Sequence, residues 1–300
     1  MGKYIDLRCD FGFKYCLSDE IIMKSFLNAI LEGDEDTIIS VKFENVEMPA
    51  SLKSKRGVTF DLLCTTDKGD TIMIEMQNSC QKFFKTRANF YVYKLMDNKI
   101  SKGLKWIKME EDISKVIGIF IMGETMAGID KVVTRTGECD LDTGDLFWDR
   151  HRKYFVSLPK FSLDANNITT RDIWFDFFKN LGRMENIDPS VYDRADEGLL
   201  RLIEKAKIGA LSEEEYKVYE ASMKILADEM DMEEHGYERG IEVGRKEGIE
   251  EGKKEGIKEG MEKGEHNKSI QIAKSMKDKG FDIATISELT ELSLDEIENL

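Results

Sequence analysis

Two acidic residues and a glutamine stand on either side of a short turn, at a spacing that could hold a divalent cation. Asp61 lies in the β-rich run 58–66, and Glu75 and Gln77 lie in the run 71–77. Opposed carboxylates repel each other, and a hard cation such as Mg²⁺ removes this repulsion. Such an ion can polarise a phosphodiester and activate a bound water. The acids therefore predict a Mg²⁺ site, with Mn²⁺ as an alternative ion, although acids on an exposed hairpin face would give the same pattern.

The turn between the two runs decides whether the acids share one face. A three-residue loop that ends with Gly69 in the left-handed conformation pairs Thr66 with Asp70. The same register places Asp61 directly opposite Glu75, so that both side chains point to one face. The register sends an apolar set to the other face, namely Phe60, Leu62, Cys64, Ile72, Ile74 and Met76. We predict that this apolar face is the buried one, because a two-residue loop would split the acids between faces.

The elements that must position these residues alternate between helical and strand-like patterns. Apolar residues at helical spacing predict a helix over 18–32, capped by Ser18 or Asp19 and stopped by Gly33. The other predicted elements are strands at 38–43, 58–66, 71–77 and 115–122, a helix at 82–102, strands near 131–138 and 153–158, and helices near 170–180, 194–207 and 213–230. The order helix, three strands, helix, strand indicates an α/β domain with a C-terminal helical extension.

The charge of the chain is unevenly distributed. The net charge is −15, but residues 1–180 carry 26 basic and 28 acidic residues, so that most of the acidity lies in the last 120 residues. Residues 82–108 hold eight basic residues and one acid, namely Lys82, Lys85, Arg87, Lys94, Lys99, Lys102, Lys105 and Lys108 against Asp97. This basic segment could contact phosphates of a nucleic acid, and a solvated helix face remains the alternative.

Composition excludes several other classes of protein. The five cysteines form no Cys-x-x-Cys pair, and the three histidines have no local partner for a catalytic pair or a zinc site. The longest apolar run, 116–122, is too short to span a bilayer, and the N-terminus has no apolar leader. We therefore expect a soluble protein with reduced thiols, located in the cytoplasm and not in a membrane.

Several motifs together resemble a known family. Asp61 followed by Glu75-Met76-Gln77 resembles the D…ExQ variant of the PD-(D/E)XK nuclease signature, with Phe60 in place of proline and Gln77 in place of lysine. The wider motifs are Asp10-Phe11-Gly12-Phe13-Lys14, then residues 25–31 (SFLNAIL), and Phe84-x-x-Arg87-x-x-x-Tyr91. In this order they resemble the recombination-promoting nuclease and putative transposase family, over roughly residues 6–180.

This resemblance implies a restriction-endonuclease-like core and a magnesium-dependent DNA endonuclease associated with recombination, transposition or defence. Asp61 and Glu75 would hold the metal, Gln77 would stand at the third signature position, and Arg87 and Tyr91 would support the site. From the basic segment described above, we expect contacts with DNA phosphates at Lys82, Lys85, Arg87 and Lys94. Asp10 and Lys14 match family positions without an assigned role. An i, i+4 surface pair is the alternative for Arg87 and Tyr91, and a catalytically silent relative that acts as an oligomeric binding or regulatory protein is the alternative function.

The C-terminal part contains a repeat. Glycine recurs at every fourth residue from Gly236 to Gly264, in a segment rich in Glu and Lys. Each glycine costs a helix about 1 kcal/mol relative to alanine, so close packing against a second helix would compensate. We predict a self-associating helix and a homodimer, with a charged flexible linker as the alternative. The predicted divisions are a nuclease-like domain at 1–180, a helical extension at 181–232, the glycine-repeat helix at 233–278 and a small acidic helical module at 279–300.

Overall fold

The apolar runs of the sequence form the strands of a central mixed sheet. The structure is a computed structural model that describes residues 2–48, 57–79, 82–100, 113–164 and 167–300. The strands within those residues are β1 (Val41–Phe43), β2 (Glu47–Met48), β3 (Val58–Thr59), β4 (Leu62–Thr66), β5 (Thr71–Gln77), β6 (Val116–Met122), β7 (Val133–Cys139) and β8 (Leu146–Ser157). The sheet has the order β1-β4-β5-β6-β8-β7, whereas β2 and β3 form a separate pair. Strands β5, β6 and β8 are parallel, and the outer strands pair antiparallel.

Helices precede, interrupt and follow the strands, which confirms the predicted α/β class. Their bounds are α1 (Asp10–Leu17), α2 (Glu20–Leu31), α3 (Phe84–Lys99), α4 (Thr170–Asn180), α5 (Pro189–Tyr192), α6 (Glu197–Lys205), α7 (Glu213–Asp278), α8 (Ile283–Thr290) and α9 (Leu294–Glu298). The Asp19 carboxylate caps α2 by accepting hydrogen bonds from the N–H groups of Ile21 and Ile22. Gly33 follows α2 with a φ of +80°, as its predicted role as a stop requires. Helix α1 was not predicted.

The hairpin between β4 and β5 has the predicted register. Gly69 has a φ of +81°, and the N–H of Thr66 donates to the carbonyl of Asp70 over 2.9 Å. The strand pairs Leu62↔Ile74 and Cys64↔Ile72 follow from this three-residue loop. Continued by one residue, the same register places Asp61 opposite Glu75.

Two details of the predicted hairpin are wrong. The run 58–66 is not one strand, because the chain bends at Phe60 and Asp61 between β3 and β4. This bend resets the side-chain alternation, so Phe60 packs with Leu63 and Met73 on the face opposite to Leu62. That second face is also buried, because α3 covers it, and both faces of the hairpin are therefore apolar over most of their length.

Apolar side chains fill both sides of the central sheet. On one side, α1, α2, α4 and α6 pack on alternate residues of β4, β5, β6 and β8, and Phe26, Trp174 and Phe178 make edge and tilted ring contacts there. On the other side, Phe84, Ala88, Val92 and Leu95 of α3 pack on β5, β6 and β8. A sheet covered on both faces leaves the ends of its strands as the places where polar side chains can meet.

The contacts divide the chain into two compact units, Met1–Glu233 and Glu234–Leu300. In the first unit, Tyr219 and Leu226 from the start of α7 belong to the main apolar core. In the second unit, residues 234–278 are helical throughout, and a Cβ added at any of the repeat glycines would meet only open space. A capping box formed by Ser293 and Glu296 opens α9. The finer domain boundaries stay predictions.

Candidate active site

The bend before β4 brings the Asp61 carboxylate to the end of β5. The N–H of Asp61 donates to Glu75 Oε1 over 3.3 Å, and Asp61 Oδ2 accepts from the N–H of Met76 over 3.0 Å. The Glu75 carboxylate therefore contacts the backbone of Asp61, and the Asp61 carboxylate contacts the backbone of the residue after Glu75. The two carboxylates converge at one end of the sheet, as the hairpin register predicts.

Burial and mutual repulsion make negative charge on Asp61 and Glu75 unfavourable. The Glu75 residue is only 6% exposed. Burial and the neighbouring charge of Asp61 raise the pKa of Glu75 to about 8. Burial also raises the pKa of Asp61, and the hydrogen bond from Met76 and the positive charge of Lys14 work against this rise. The raised pKa of Glu75 means that, without a cation, its neutral form is favoured below about pH 8.

Lys14 on α1 brings a positive charge to this pair. Its Nζ lies 2.6 Å from Asp10 Oδ1, one turn earlier on the helix, and 3.8 Å from Asp61 Oδ1. Partial burial works to lower the pKa of Lys14, but the hydrogen bond to Asp10 and the charges of Asp61 and Glu75 raise it. Lys14 is therefore an ammonium at the edge of the site. The spacing of Asp10 and Lys14 at i, i+4 was visible in the sequence, but their approach to Asp61 was not.

Gln77 connects the strand to α3. Its Nε2 donates to the carbonyl of Ser79 over 2.7 Å, and its Oε1 accepts a hydrogen bond from Arg87 Nη2. Both ends of the amide are thus engaged, which fixes the side chain and directs the Arg87 guanidinium toward the carboxylates. The positive charge of Arg87 works to lower the pKa of Glu75, but burial has a larger effect and raises it. Gln77 therefore holds the Arg87 guanidinium in place, although Gln77 carries no charge itself.

The other predicted site residues lie on α3 or just before it, and they have different surroundings. Tyr91 packs edge-on against Phe60, with ring centroids 5.5 Å apart, and burial together with the charge of Glu75 raises the pKa of Tyr91. Lys94 lies further along the same side and pairs with Asp97 at 3.8 Å. Lys82 lies 6.0 Å from the ring of Phe83, and Lys85 lines a different cavity with Lys153 and His151. Lys102, Lys105 and Lys108 lie outside the described residues.

The carboxylates open into a cavity of about 280 Å³. Its walls come from α1, the end of β5, α3 and the start of α7, and its polar lining includes Asp10, Asp61, Glu75, Gln77, Arg87, Ser222 and Glu229. The hydroxyl of Ser222 accepts a hydrogen bond from the N–H of Phe11 over 3.0 Å, which ties α7 to α1. No pattern in the sequence indicates that α7 reaches this site.

A comparison with protein families agrees with this geometry. The family model of the PD-(D/E)XK nuclease family transposases matches residues 7–235. The chain belongs to this family. Searches among curated proteins and among solved structures found no match. Among the described residues, none of the helices has the length and apolarity that crossing a membrane requires.

The residues of this PD-(D/E)XK family member fit a small divalent ion. Mg²⁺ is commonly held by one or two carboxylates, and it keeps several waters. No group of three or more His, Cys, Asp or Glu side chains that could enclose a metal is found in the described residues. The two carboxylates of Asp61 and Glu75 are thus enough for an open site but not for a closed structural one. Because the two carboxylates repel each other, a cation bound between them would be stabilised electrostatically.

Proposed function

We propose that this protein is a magnesium-dependent DNA endonuclease that hydrolyses phosphodiester bonds in recombination, transposition or defence. The observation that carries the proposal is the convergence of Asp61 and Glu75 in one cavity, beside the positive charges of Lys14 and Arg87. Family membership over residues 7–235 supports the same class of chemistry. Mn²⁺ offers the same coordination preferences and is expected to replace Mg²⁺.

Each side chain has a role in this proposal. Asp61 and Glu75 would hold the metal ion, which would supply Lewis acidity for attack of water on the phosphodiester. Arg87 binds a phosphate oxygen, and Gln77 positions Arg87 through their hydrogen bond. Lys14 supplies the fixed positive charge that a glutamine at position 77 cannot provide, and it stabilises negative charge that develops on the phosphate. Tyr91 supports Arg87, whose guanidinium carbon lies 5.8 Å from the centre of its ring.

Cleavage of supercoiled plasmid and of single-stranded DNA tests the proposal. The wild-type protein should cut DNA with Mg²⁺ or Mn²⁺ and not with EDTA, and Asp61→Asn should cut at least about 1,000-fold more slowly, because metal chemistry contributes several kcal/mol. The matched control is Asp149→Asn, a partly exposed aspartate paired with Lys115 and Arg152 at the other end of the sheet. Circular dichroism measures the folded fraction of each variant.

Two results would contradict the proposal. Equal cleavage by wild type and Asp61→Asn would show that the activity belongs to a contaminant. Absence of cleavage by folded wild-type protein with either metal, on both plasmid and single strands, would favour the catalytically silent, regulatory alternative.

We also propose that the glycine-repeat helix at 233–278 forms a homodimer. The support is an apolar set on this helix that is more than half exposed, namely Tyr237, Ile241, Val243, Ile249, Ile257 and Met261, beside glycines whose surroundings are open. A second helix could approach closely there and cover these side chains. Analytical ultracentrifugation should give twice the mass of the chain at about 10 µM, and a monomer at that concentration would contradict the dimer. A cytoplasmic location also stays a prediction.

A further inference from the structure

A long groove runs along α3 beside the metal-binding cavity. It has a volume of about 930 Å³ and is lined on one wall by residues 57–59. The other wall is formed by Phe83, which directly precedes α3, and by the outer side of α3, which contributes Thr86, Arg87, Phe90, Tyr91, Tyr93, Lys94 and Asp97. From Phe83 to Asp97 the helix rises by about 20 Å. The groove is therefore long enough for an extended chain molecule and much larger than a metal ion requires.

Aromatic and cationic side chains alternate along this groove. Phe83, Arg87, Phe90 and Lys94 follow one another at spacings of four, three and four residues, which places them on one stripe of a helix. We call these four residues the aromatic–cationic stripe. Phe83 is 72% exposed and Phe90 is 40% exposed. The two exposed rings thus face the groove, and Arg87 and Lys94 line it beside them, with the Lys94 side chain 11% exposed and paired with Asp97.

The aromatic side chains of the stripe are not needed for the core of the protein. The opposite side of α3 already buries Phe84, Ala88, Val92 and Leu95 against the sheet. Exposed aromatic groups together with positive charge, on a helix whose other side satisfies packing, indicate a binding surface. Tyr93, which is 55% exposed, adds a further ring to the same groove.

The groove is continuous with the metal-binding cavity. Arg87 lines both of them. The groove wall at Val58 and Thr59 leads within two residues to Asp61, and Tyr91 of the groove packs on Phe60 between them. A strand whose phosphate is contacted by Arg87 at the carboxylates would therefore continue into the groove.

We propose that this groove binds an unpaired nucleic-acid strand next to the scissile phosphate, with bases stacked on Phe83 and Phe90 and phosphates contacted by Arg87 and Lys94. Bases within a duplex are stacked on each other, so ring faces in a groove can take up only bases that have left the helix. The basic residues of this segment match a phosphate backbone better than an apolar protein partner. The proposal rests on the nuclease function, whose substrate it specifies as single-stranded or locally opened DNA.

Fluorescence anisotropy in EDTA tests the binding without cleavage. The probes are a labelled 20-nucleotide single strand of mixed sequence and the duplex of that sequence. Wild-type protein should bind the single strand at least about tenfold more tightly. Phe83→Leu and Phe90→Leu should each weaken single-strand binding by about five- to tenfold, since one stacked base contributes on the order of 1 kcal/mol or more. The matched control is Phe147→Leu on β8, where the phenylalanine is 73% exposed and lies outside the groove.

A salt titration separates the two kinds of contact. Lys94→Gln should reduce the slope of log affinity against log salt by about 0.7, as loss of one phosphate contact to a single strand predicts. Phe90→Leu should lower the affinity and leave this slope unchanged. A parallel shift of both quantities in both variants would contradict the assignment of stacking to the phenylalanines and phosphate contact to the lysine.

The outcomes also separate this inference from the proposed nuclease function. Equal or tighter binding of the duplex, or unchanged single-strand affinity in both phenylalanine variants, would overturn the stacking groove, even if the wild type cuts duplex DNA with Mg²⁺. Conversely, selective single-strand binding that depends on Phe83 and Phe90 would support the groove even if no metal-dependent cleavage were found.

Discussion

Charged side chains lie at both ends of the parallel strands β5 and β6, and the two ends differ in how the charges are balanced. Before β6 begins, Lys115 contacts Glu35 at 2.7 Å and Asp149 at 2.8 Å, and Arg152 contacts the same two acids at 3.0 and 2.7 Å. We call these four residues the paired cluster. It contains two acids and two bases, and every acid meets both bases.

The pKa values at the two ends differ accordingly. In the paired cluster, burial works to raise the pKa of Asp149, but hydrogen bonds from Lys115 and Arg152 hold it below its usual value. At the other end, burial and the charge of Asp61 raise the pKa of Glu75 to about 8. In the paired cluster each acid contacts two bases directly, whereas at the carboxylate pair burial and mutual repulsion outweigh the charges of Lys14 and Arg87, so that a bound cation would relieve the remaining repulsion.

Substitution of Lys14, beside the carboxylate pair, and of Lys115, in the paired cluster, tests the comparison. It has the largest expected effect. Lys14→Gln should reduce the rate of DNA cleavage by about 100- to 1,000-fold, because it removes a fixed positive charge beside the reacting phosphate. Lys115→Gln should reduce stability and leave the rate per folded molecule unchanged. Single-turnover cleavage, corrected for the folded fraction, measures both variants.

Lys14→Arg is the conservative control. It keeps the charge at the site, so it should recover much of the rate that Lys14→Gln loses. If Lys14→Gln cleaved as fast as the wild type, Lys14 would only be a partner of Asp10 on the helix surface, and the catalytic role assigned to it would be wrong.

The carboxylate pair was predictable from the sequence because its causes are local. Gly69 sets the turn, the turn sets the register, and the alternation of apolar residues along β4 and β5 selects that register. The bend at Phe60 was not predictable in the same way, since alternation along 58–66 looks like one strand until β3 leaves the central sheet to pair with β2.

The remaining residues of the site depended on contacts between distant parts of the chain. The sequence showed Lys14 and Asp10 as a helical pair but not the packing of α1 that brings Lys14 to Asp61. It showed Gln77 and Arg87 as separate motif positions but not the hydrogen bond between them. Ser222 and Glu229 of α7 fall in the predicted helical extension, and their place in the cavity wall follows from tertiary packing alone.

Stability measurements provide a second test, with an intermediate effect. Glu35→Gln should lower the free energy of unfolding by about 2 kcal/mol at pH 8.5, because it leaves Lys115 and Arg152 incompletely paired in a mostly buried cluster. Glu75→Gln should raise it by about 1–3 kcal/mol in EDTA at the same pH, since it removes a buried negative charge. Urea unfolding followed by circular dichroism gives both values.

The pH dependence of the second variant serves as its control. The pKa of Glu75 is higher in the folded protein than in the unfolded chain, so ionisation of this carboxyl destabilises the fold as the pH rises from about 4.5 to about 8. At pH 4.5 the gain from Glu75→Gln should therefore disappear. A destabilising effect of Glu75→Gln at pH 8.5 without metal would show that this carboxylate is as well balanced as the paired cluster.

The affinity for a metal ion should also depend on the ionisation of Glu75. This is the smallest of the expected effects. Below a pH of about 8 an incoming cation must displace the proton of Glu75, so affinity for Mn²⁺ should rise by up to about tenfold per pH unit and level off above that value. Calorimetry in two buffers of different ionisation enthalpy should detect up to one proton released per ion at pH 6.5 and almost none at pH 9. Glu75→Gln should bind more weakly and show little pH dependence. An affinity of the wild type that stays constant from pH 6.5 to pH 9 would mean that the carboxylate pair is already ionised without a ligand, and the contrast with the paired cluster would disappear.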